Sequence, residues 1–535
     1  MYKAELYIIL IIFLFNLQFS YRMVLTSCEE GDFLMGAHYT KEEILNSTPR
    51  TGFFGHPKGL STLFFTEFWE RFSYYGMKAI LAYYIYYSIA KGGFGLDQGV
   101  ALQIVSIYGA LVYMSGVIGG WIADRITGTR HALFYGGTLI MLGHILLSLP
   151  NNFVILLIAL LVLIIGTGML KPNISSTVGL LYEKNDPRLD AAFTIFYMSI
   201  NLGALLSPLI VGWAQVNLGF HFGFAIAAVG MFIGLVTYYI TNRKYLGLAG
   251  LEVPDPLTKA ERSKLIKIVI IVAVVIAVVC FILNQLQLLT IATFANFITL
   301  LGVFLPLFYF VKIILSKKTA DHERKRVYAY IPLFIASVAF WMIQEQGSTV
   351  LAQFADTKTQ LDLAKVTGGL IDFHIPPAWF QSLNPLFIIT LAPLFSILWV
   401  KLGRFNPPTV IKFAIGVILA GVSYLIMVIP GDADLINPFW LVASFLIVTM
   451  GELCLSPIGL STTTKLAPEA FTAQMMSVWF LSNAMAQGIN AQMVTMYTHI
   501  STNQYFLISG AVALLIGIVL ICIAPFIKNL MQGVK

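Results

Sequence analysis

Long apolar runs dominate the chain from residue 60 to the C-terminus. Each run is roughly 20 residues long, which lets a helix cross a hydrocarbon layer of about 30 Å. The stretches 154–165 and 266–279 are apolar on every side, whereas strands of a membrane barrel would alternate apolar and polar residues. The pattern therefore predicts an all-α polytopic membrane protein.

Glycine, proline, asparagine and charged clusters divide these runs into about twelve principal helices. Two further helices, near 265–283 and 290–314, fall between the sixth and the seventh, so that fourteen transmembrane helices are predicted. The principal helices are expected near 60–89, 100–123, 131–149, 153–176, 190–213, 219–240, 328–352, 378–400, 409–429, 437–460, 471–497 and 503–527.

Basic residues lie mainly in alternate loops of this arrangement. If the N-terminus is cytoplasmic, the outside loops hold only Lys91, Lys358 and Lys365. Positive residues are retained on the cytoplasmic side, so both termini are predicted to be cytoplasmic and the number of spans even. The composition is 58% hydrophobic and 11% charged, with a net charge of +7. Topology explains that charge better than a nucleic-acid surface does, and no nucleic-acid partner is predicted.

Two long basic connections, 243–267 and 316–326, separate the predicted spans into groups of six, two and six. We therefore expect a six-helix bundle at 52–242, a linker with two additional transmembrane helices at 243–327, and a second six-helix bundle at 328–535. Two such halves are typical of secondary transporters, whose substrate site lies between them near the bilayer midplane.

Residues 1–50 form a separate N-terminal segment in this division. They could be a signal-like segment, an interfacial helix, or upstream sequence from a misplaced start that is not part of the native protein. We favour the last interpretation, because a cleaved signal would place the N-terminus outside and contradict the loop charges.

Seven ionisable residues lie inside the apolar helices. A charge at mid-bilayer costs about 2.5–3.5 kcal/mol, so these residues must form pairs or face a wet cavity. In the first helix, spacings of three and four residues place the ionisable residues between Glu67 and Lys78 on one polar stripe. A carboxylate pair beside a guanidinium can exchange a proton against an ion pair, although purely structural ion pairs are the alternative. The seven are Glu67, Glu70, Arg71, Lys78, Lys171, Glu345 and Glu452.

Other polar and aromatic residues of the spans have two interpretations. The aromatic residues either shape a site or lie at the membrane interface, and the amides either bind substrate or hydrogen-bond neighbouring helices. They are Tyr74, Tyr75, Tyr108 and Trp479, and Asn201 and Asn384.

The first helix also carries a specific motif. Its segment EFWERFSYY, residues 67–75, resembles the E-x-x-E-R-F-x-Y-Y signature of the proton-dependent oligopeptide transporter family, within the major facilitator superfamily. GGWIADR at 119–125 is similar to the superfamily's loop motif between helices two and three, and FYMSINLG at 196–203 to the family's F-Y-x-x-I-N-x-G segment. The resemblance covers the chain from about residue 52 onward and implies a major facilitator fold.

The family resemblance also implies roles for individual residues. A peptide carboxylate would be received by Arg71 and Lys171, and the amino end by Asn201, Asn384 and Glu452. The residues for proton coupling would be Glu67, Glu70, Arg71 and Lys171. Those that shape the pocket would be Tyr74, Tyr75, Tyr108 and Trp479. An outer gate would be formed by Lys78 with Glu345. The family usually has Arg at position 78, and Lys lacks the bidentate fork of a guanidinium.

The implied function is proton-coupled import of di- and tripeptides by alternating access. The partners would be small peptides, protons and the lipid bilayer. The protein would act as a monomer without a cofactor. Its outer loop at 431–435 is short, where animal relatives of the family carry a large insert, so we expect it in the plasma membrane of a bacterium.

Transport of nitrate or a drug is the alternative within the superfamily. Glu452, with Asn201 and Asn384, favours a zwitterion over nitrate. Arg71 and Lys171 favour it over a cationic drug. An enzyme is not predicted, because the chain has no H-E-x-x-H or G-x-S-x-G motif.

Overall fold

The computed structural model describes residues 39–533 except 151, 184, 185, 289 and 432. Within those ranges the chain forms long helices and short helical turns, and extended pairing is limited to isolated bridges. The predicted all-helical class is thereby confirmed. Ten stretches of the described residues are helical, long and apolar enough to cross a membrane. One of them, Gln98–Leu147, contains two helices joined by a π-helical turn.

The N-terminal half starts with a short helix, α1 (Lys41–Asn46), which begins at a capping box formed by Thr40 and Glu43. Ile44 and Leu45 of α1 are buried, so this part of the predicted 1–50 segment packs against the rest of the protein. Residues 1–38 lie outside the described residues. The long helices of this half are α2 (Gly59–Tyr86), α3 (Gln98–Ile122), α4 (Gly128–Leu147), α5 (Phe153–Leu180), α6 (Leu189–Leu218) and α7 (Phe220–Tyr245).

Two linker helices and the C-terminal half follow. The linker helices are α8 (Lys259–Gln285) and α9 (Ile291–Leu315). The C-terminal half comprises α10 (Asp321–Gln344), α11 (Val350–Thr357), α12 (Leu363–Thr367), α13 (Leu383–Leu402), α14 (Thr409–Leu425), α15 (Pro438–Leu466), α16 (Thr472–His499) and α17 (Thr502–Leu530).

The helix predicted at 328–352 is interrupted in the structure. A 3₁₀ turn at Glu345–Ser348 separates α10 from α11. The side chain of Gln346 explains the break, because it is fully buried and accepts hydrogen bonds from Tyr424 at 2.9 Å and Tyr505 at 2.8 Å. These bonds hold the turn in the core of the C-terminal half, and short 3₁₀ segments inside long helices often mark functional positions.

Within the halves, α2 packs against α6 and α7, α4 against α5, and α14 against α15 and α17. The halves meet along α3 with α16 and along α6 with α13. Linker helix α9 packs against both α3 and α16, whereas the side chains described on α8 are largely exposed. Small residues permit some of the closest contacts: a Cβ on Gly119 of α3 would lie 1.9 Å from the carbonyl oxygen of Gly168 on α5.

Candidate functional site

Two carboxylates and one guanidinium form a buried cluster on α2. Arg71 has only 2% of its side chain exposed and pairs with Glu70 through Nε–Oε2 and through Nη2–Oε1 at 2.7 Å. Glu67, one turn earlier, places Oε1 at 3.3 Å from Arg71 Nε. The other oxygen of Glu67 is buried and accepts no hydrogen bond from the described residues. Glu67 and Glu70 thus share one counter-ion, and Glu67 has an oxygen at which a proton would not displace an existing donor.

Lys171 of α5 lies near this cluster. It interacts electrostatically with the cation Arg71 and with the acids Glu70, Glu67 and Glu345. In the described part of the chain it is not in ion-pair contact with a carboxylate. Its Nζ lies 4.7 Å from the ring centroid of Tyr113, a cation–π contact that partly compensates for desolvation. Lys171 is therefore a cation without a fixed anionic partner among the described residues.

Aromatic rings line the same part of α2 and α3. The guanidinium carbon of Arg71 lies 5.1 Å from the Tyr74 ring centroid and 6.0 Å from that of Tyr75. Tyr74 stacks on Tyr108 at a centroid distance of 6.4 Å. The Tyr108 hydroxyl is buried and has no hydrogen-bond partner within the described ranges, so it is a polar group available to a bound molecule.

An ion pair joins the two halves. Lys78 Nζ of α2 lies 2.9 Å from Glu345 Oε2, and both side chains are more than nine-tenths buried. Glu345 also accepts hydrogen bonds from Tyr113 Oη at 2.8 Å and from Gln487 Nε2 at 2.7 Å. The carboxylate of Glu345 is therefore held by donors from both halves of the protein.

A second carboxylate, Glu452 of α15, lies in the C-terminal half with only 8% exposed. Its Oε2 accepts hydrogen bonds from Asn384 Nδ2 at 2.9 Å and from Gln344 Nε2 at 2.8 Å. Asn384 Nδ2 also lies 3.0 Å from Thr449 Oγ1. This acid is surrounded by neutral amides, unlike the acids of α2, which have a cationic partner.

Two further predicted site residues contact neighbours in their own half. Asn201 Nδ2 donates to the Tyr197 carbonyl one turn back on α6, at 3.0 Å. Trp479 is 3% exposed, and its ring lies against Gly459, where a Cβ would meet it at 2.0 Å. In this conformation the structure does not bring Asn201 or Trp479 into hydrogen-bond contact with the charged residues described above.

Contacts between the halves gather near the C-terminal end of α2. The hydroxyls of Tyr86 and Tyr87 donate to Asp356 of α11 at 2.7 and 2.6 Å; we call these three residues the phenol–carboxylate latch. Nearby, Tyr83 donates to the Ala352 carbonyl at 3.0 Å. Further bonds between the halves join Gln353 to Gln98, Trp379 to the Leu209 carbonyl, Gln381 to the Ala79 carbonyl and Ser382 to the Leu205 carbonyl.

Several residues of these networks were not predicted from the sequence. Tyr113, Gln344, Gln487 and Asp356 all bind a predicted residue or join the halves. Asp356 lies in the predicted outside loop between residues 352 and 378, where a charge is ordinary. The only available signal for Gln344 was its position next to Glu345.

The fold and these networks define a helical membrane transporter built from two halves. Residues 130–508 match the model of the POT family, and the chain belongs to that family. The predicted family is confirmed, and with it the prediction of a transporter rather than an enzyme.

Relatives match over nearly the whole chain. The chain is 52% identical over 501 residues to "Uncharacterized transporter YclF" of Bacillus subtilis, covering 93% of this chain and 100% of the relative. It is 44% identical over 498 residues to a di-/tripeptide transporter of Lactococcus lactis subsp. cremoris, covering 92% of this chain and 99% of that protein. The family is thus a multi-pass transporter family with bacterial members.

Solved structures share the fold. A crystal structure of a mutant of peptide transporter POT in complex with alafosfalin is 56% identical to this chain and superposes with a TM-score of 0.88. The match covers 93% of this chain and 100% of that one.

Proposed function

We propose that this protein imports di- and tripeptides together with protons by alternating access. The observation that carries the proposal is the separation of charge between the halves: Arg71 and Lys171 lie on the N-terminal half, and Glu452 with its amides lies on the C-terminal half. Peptides of a given length hold their terminal carboxylate and ammonium at nearly the same separation, whatever their side chains. Binding only the two ends gives broad selectivity, and water can fill the space that a small side chain leaves.

The comparisons support this substrate class. The Lactococcus relative is named a di-/tripeptide transporter, and the POT mutant was crystallised with alafosfalin. Nitrate has no ammonium and would not require Glu452. A cationic drug would not require both Arg71 and Lys171.

Proton coupling would use the cluster of α2. Protonation of Glu67 or Glu70 would weaken its pairing with Arg71 and free the guanidinium for the peptide carboxylate. Lys171, which interacts electrostatically with both acids, would become the second ligand of that carboxylate. Each charge that moves inward across the membrane contributes about 2.3 kcal/mol per 100 mV, so import can proceed against a peptide gradient and no cofactor is needed.

The pair of Lys78 and Glu345 would act as the outer gate. With the N-terminus in the cytoplasm, α2 ends at the outer surface, where the phenol–carboxylate latch and its neighbours join the halves. The described conformation would then be closed to the outside. Opening would separate Lys78 from Glu345, and a lysine separates more readily than an arginine because it lacks a bidentate contact.

The topology belongs to the same proposal. It comprises fourteen spans with both termini cytoplasmic, bundles at 52–242 and 328–535, and the linker pair at 243–327 between them. We place the protein in the bacterial plasma membrane as a monomer. Asn201, Tyr74, Tyr75, Tyr108 and Trp479 would contribute to peptide binding in a conformation with substrate.

Neutral substitutions in the cluster test the coupling. Glu67→Gln and Glu70→Gln should preserve exchange of labelled dialanine across proteoliposomes loaded with unlabelled peptide, because exchange requires no net proton movement. Both variants should lose accumulation driven by an inward proton gradient. Normal accumulation by both variants would contradict the assignment of proton coupling to these residues.

A further inference from the structure

We infer that Gln344 is a positioning residue that orients Glu452 toward the amino end of the peptide, an inference that rests on the proposed function. Gln344 is the last residue of α10, and its Nε2 donates to Glu452 Oε2 at 2.8 Å. Asn384 Nδ2 donates to the same oxygen at 2.9 Å. Helices α10, α13 and α15 thus meet at a single carboxylate oxygen.

This arrangement leaves the two oxygens of Glu452 unequal. Oε2 accepts both amide donors, whereas Oε1 accepts no hydrogen bond from any part of the chain that the structure describes. Hydrogen bonds from neutral donors to a charged acceptor are stronger than those between neutral groups. The two amides therefore fix the plane of the carboxylate without neutralising it, and Oε1 remains as an anionic acceptor for an ammonium.

The backbone around Gln344 makes it a rigid donor. The next residue, Glu345, is bound to Lys78, Tyr113 and Gln487, and the 3₁₀ turn after it is anchored by the buried Gln346. Three consecutive residues therefore have different partners. Gln344 binds Glu452, Glu345 forms the ion pair of the proposed gate, and Gln346 anchors the turn in the core. Functional groups on such supported elements keep their geometry better than groups on free loops.

The side chain at position 344 must be neutral to orient Glu452 in this way. A glutamate there would face Glu452 Oε2 where Gln344 now donates, and two carboxylates at that distance cannot both stay ionised. The two carboxylates would share one proton, and the net charge available to the ammonium of the peptide would depend on pH. An amide supplies the donor without this titration.

The experiment compares two substrates on the purified full-length chain. Gln344→Met removes the donor at similar volume, and Gln344→Glu replaces it with a second acid. Gln492→Met is the matched control, because Gln492 donates its amide to Thr299 of α9 at 3.1 Å, away from Glu452. Binding of dialanine and of N-acetyl-dialanine is measured by calorimetry from pH 5 to pH 8.

For Gln344→Met we expect dialanine affinity to fall about tenfold, the value for loss of one hydrogen bond to a charged group. N-acetyl-dialanine, which lacks the ammonium, should bind as weakly as before, so the ratio of the two affinities should fall. Gln344→Glu should change the pH profile of dialanine affinity relative to that of the original protein, because a second carboxylate then titrates beside Glu452. Gln492→Met should leave both affinities unchanged.

The outcomes are separable. An unchanged affinity ratio in Gln344→Met, or an equal loss for both substrates, would overturn the positioning role. If Gln344→Met does not fold, Gln344→Glu decides the matter, because a pH profile identical to that of the original protein would overturn the inference. If the original protein binds neither peptide or does not distinguish them, the proposed function itself fails.

Discussion

The ion pair between Lys78 and Glu345 allows a quantitative prediction about closure of the outer end. Lys78→Met removes the charge and keeps most of the apolar stem, so that packing along α2 is retained. Glu345 then stays buried without a cation, although the donors Tyr113 and Gln487 remain. We expect the closed conformation to lose stability relative to the open one, in which water can solvate Glu345.

The magnitude follows from the burial and the remaining donors. Removing one partner of a buried pair costs roughly 3–5 kcal/mol. Because two hydrogen-bond donors still face Glu345, we take the lower end, about 3 kcal/mol, which corresponds to a shift of about 100-fold in the ratio of closed to open protein. The double variant Lys78→Met with Glu345→Gln leaves neither charge of this pair and should close nearly as well as the original protein.

Pulsed electron paramagnetic resonance can measure this shift. Spin labels would be attached to cysteines at Ile89 and Lys365, which are exposed on the N-terminal and C-terminal halves near the outer end, in a background without native cysteines. The single variant should broaden the distance distribution toward longer values, and the double variant should restore it. Identical distributions in all three proteins would show that the pair of Lys78 and Glu345 does not hold the outer end closed, as would a double variant that opens further than the single one.

Three other predictions concern packing, the latch and pH. Gly119→Ala should destabilise the protein by about 1–3 kcal/mol through overpacking and so lower its melting temperature. Gly116→Ala is the control, because its Cβ would meet nothing within 4 Å. Equal melting temperatures for the two variants would contradict the close contact at Gly119. Asp356→Asn should weaken both phenol hydrogen bonds by about 1 kcal/mol each, and the same spin labels should report a larger open fraction; an unchanged distribution would exclude a latch. The hydrogen bond from Arg188 holds the pKa of Asp186, in the loop after α5, at about 2. Because this pKa is below its value in the unfolded chain, the pair stabilises the protein above about pH 4, and the stabilisation is lost as pH falls toward 2. Melting curves of Asp186→Asn should lie below those of the original protein at pH 7 and converge with them in acid; parallel curves at every pH would show that the pair contributes nothing.

The charged residues of the site could be found from sequence because a charge in a membrane helix is costly and therefore rare. Glu67, Glu70 and Arg71 lie within a turn of one another, so the helical period alone placed them together. Their neighbours could not be found in this way. Tyr113 binds Glu345 across 232 positions of sequence, and an uncharged phenol in a membrane helix is not unusual enough to attract attention.

The long helices could be predicted from the sequence, whereas the interruption at Glu345 could not. Apolar runs locate long helices, because a membrane requires each one to satisfy its own backbone hydrogen bonds. The interruption at Glu345 depends instead on Gln346 and its partners Tyr424 and Tyr505, which are 78 and 159 positions away. A local sequence pattern contains no information about such distant partners, so the predicted helix ran through the break.

Uptake of labelled dialanine into liposomes that contain the purified protein tests proton-driven peptide import. An inward proton gradient would be imposed, with and without an ionophore that dissipates it. If the protein imports peptides with protons, dialanine accumulates above the external concentration, and this accumulation disappears with the ionophore. Equilibration without accumulation, or no uptake of any di- or tripeptide by protein shown to be folded, would contradict proton-driven peptide import.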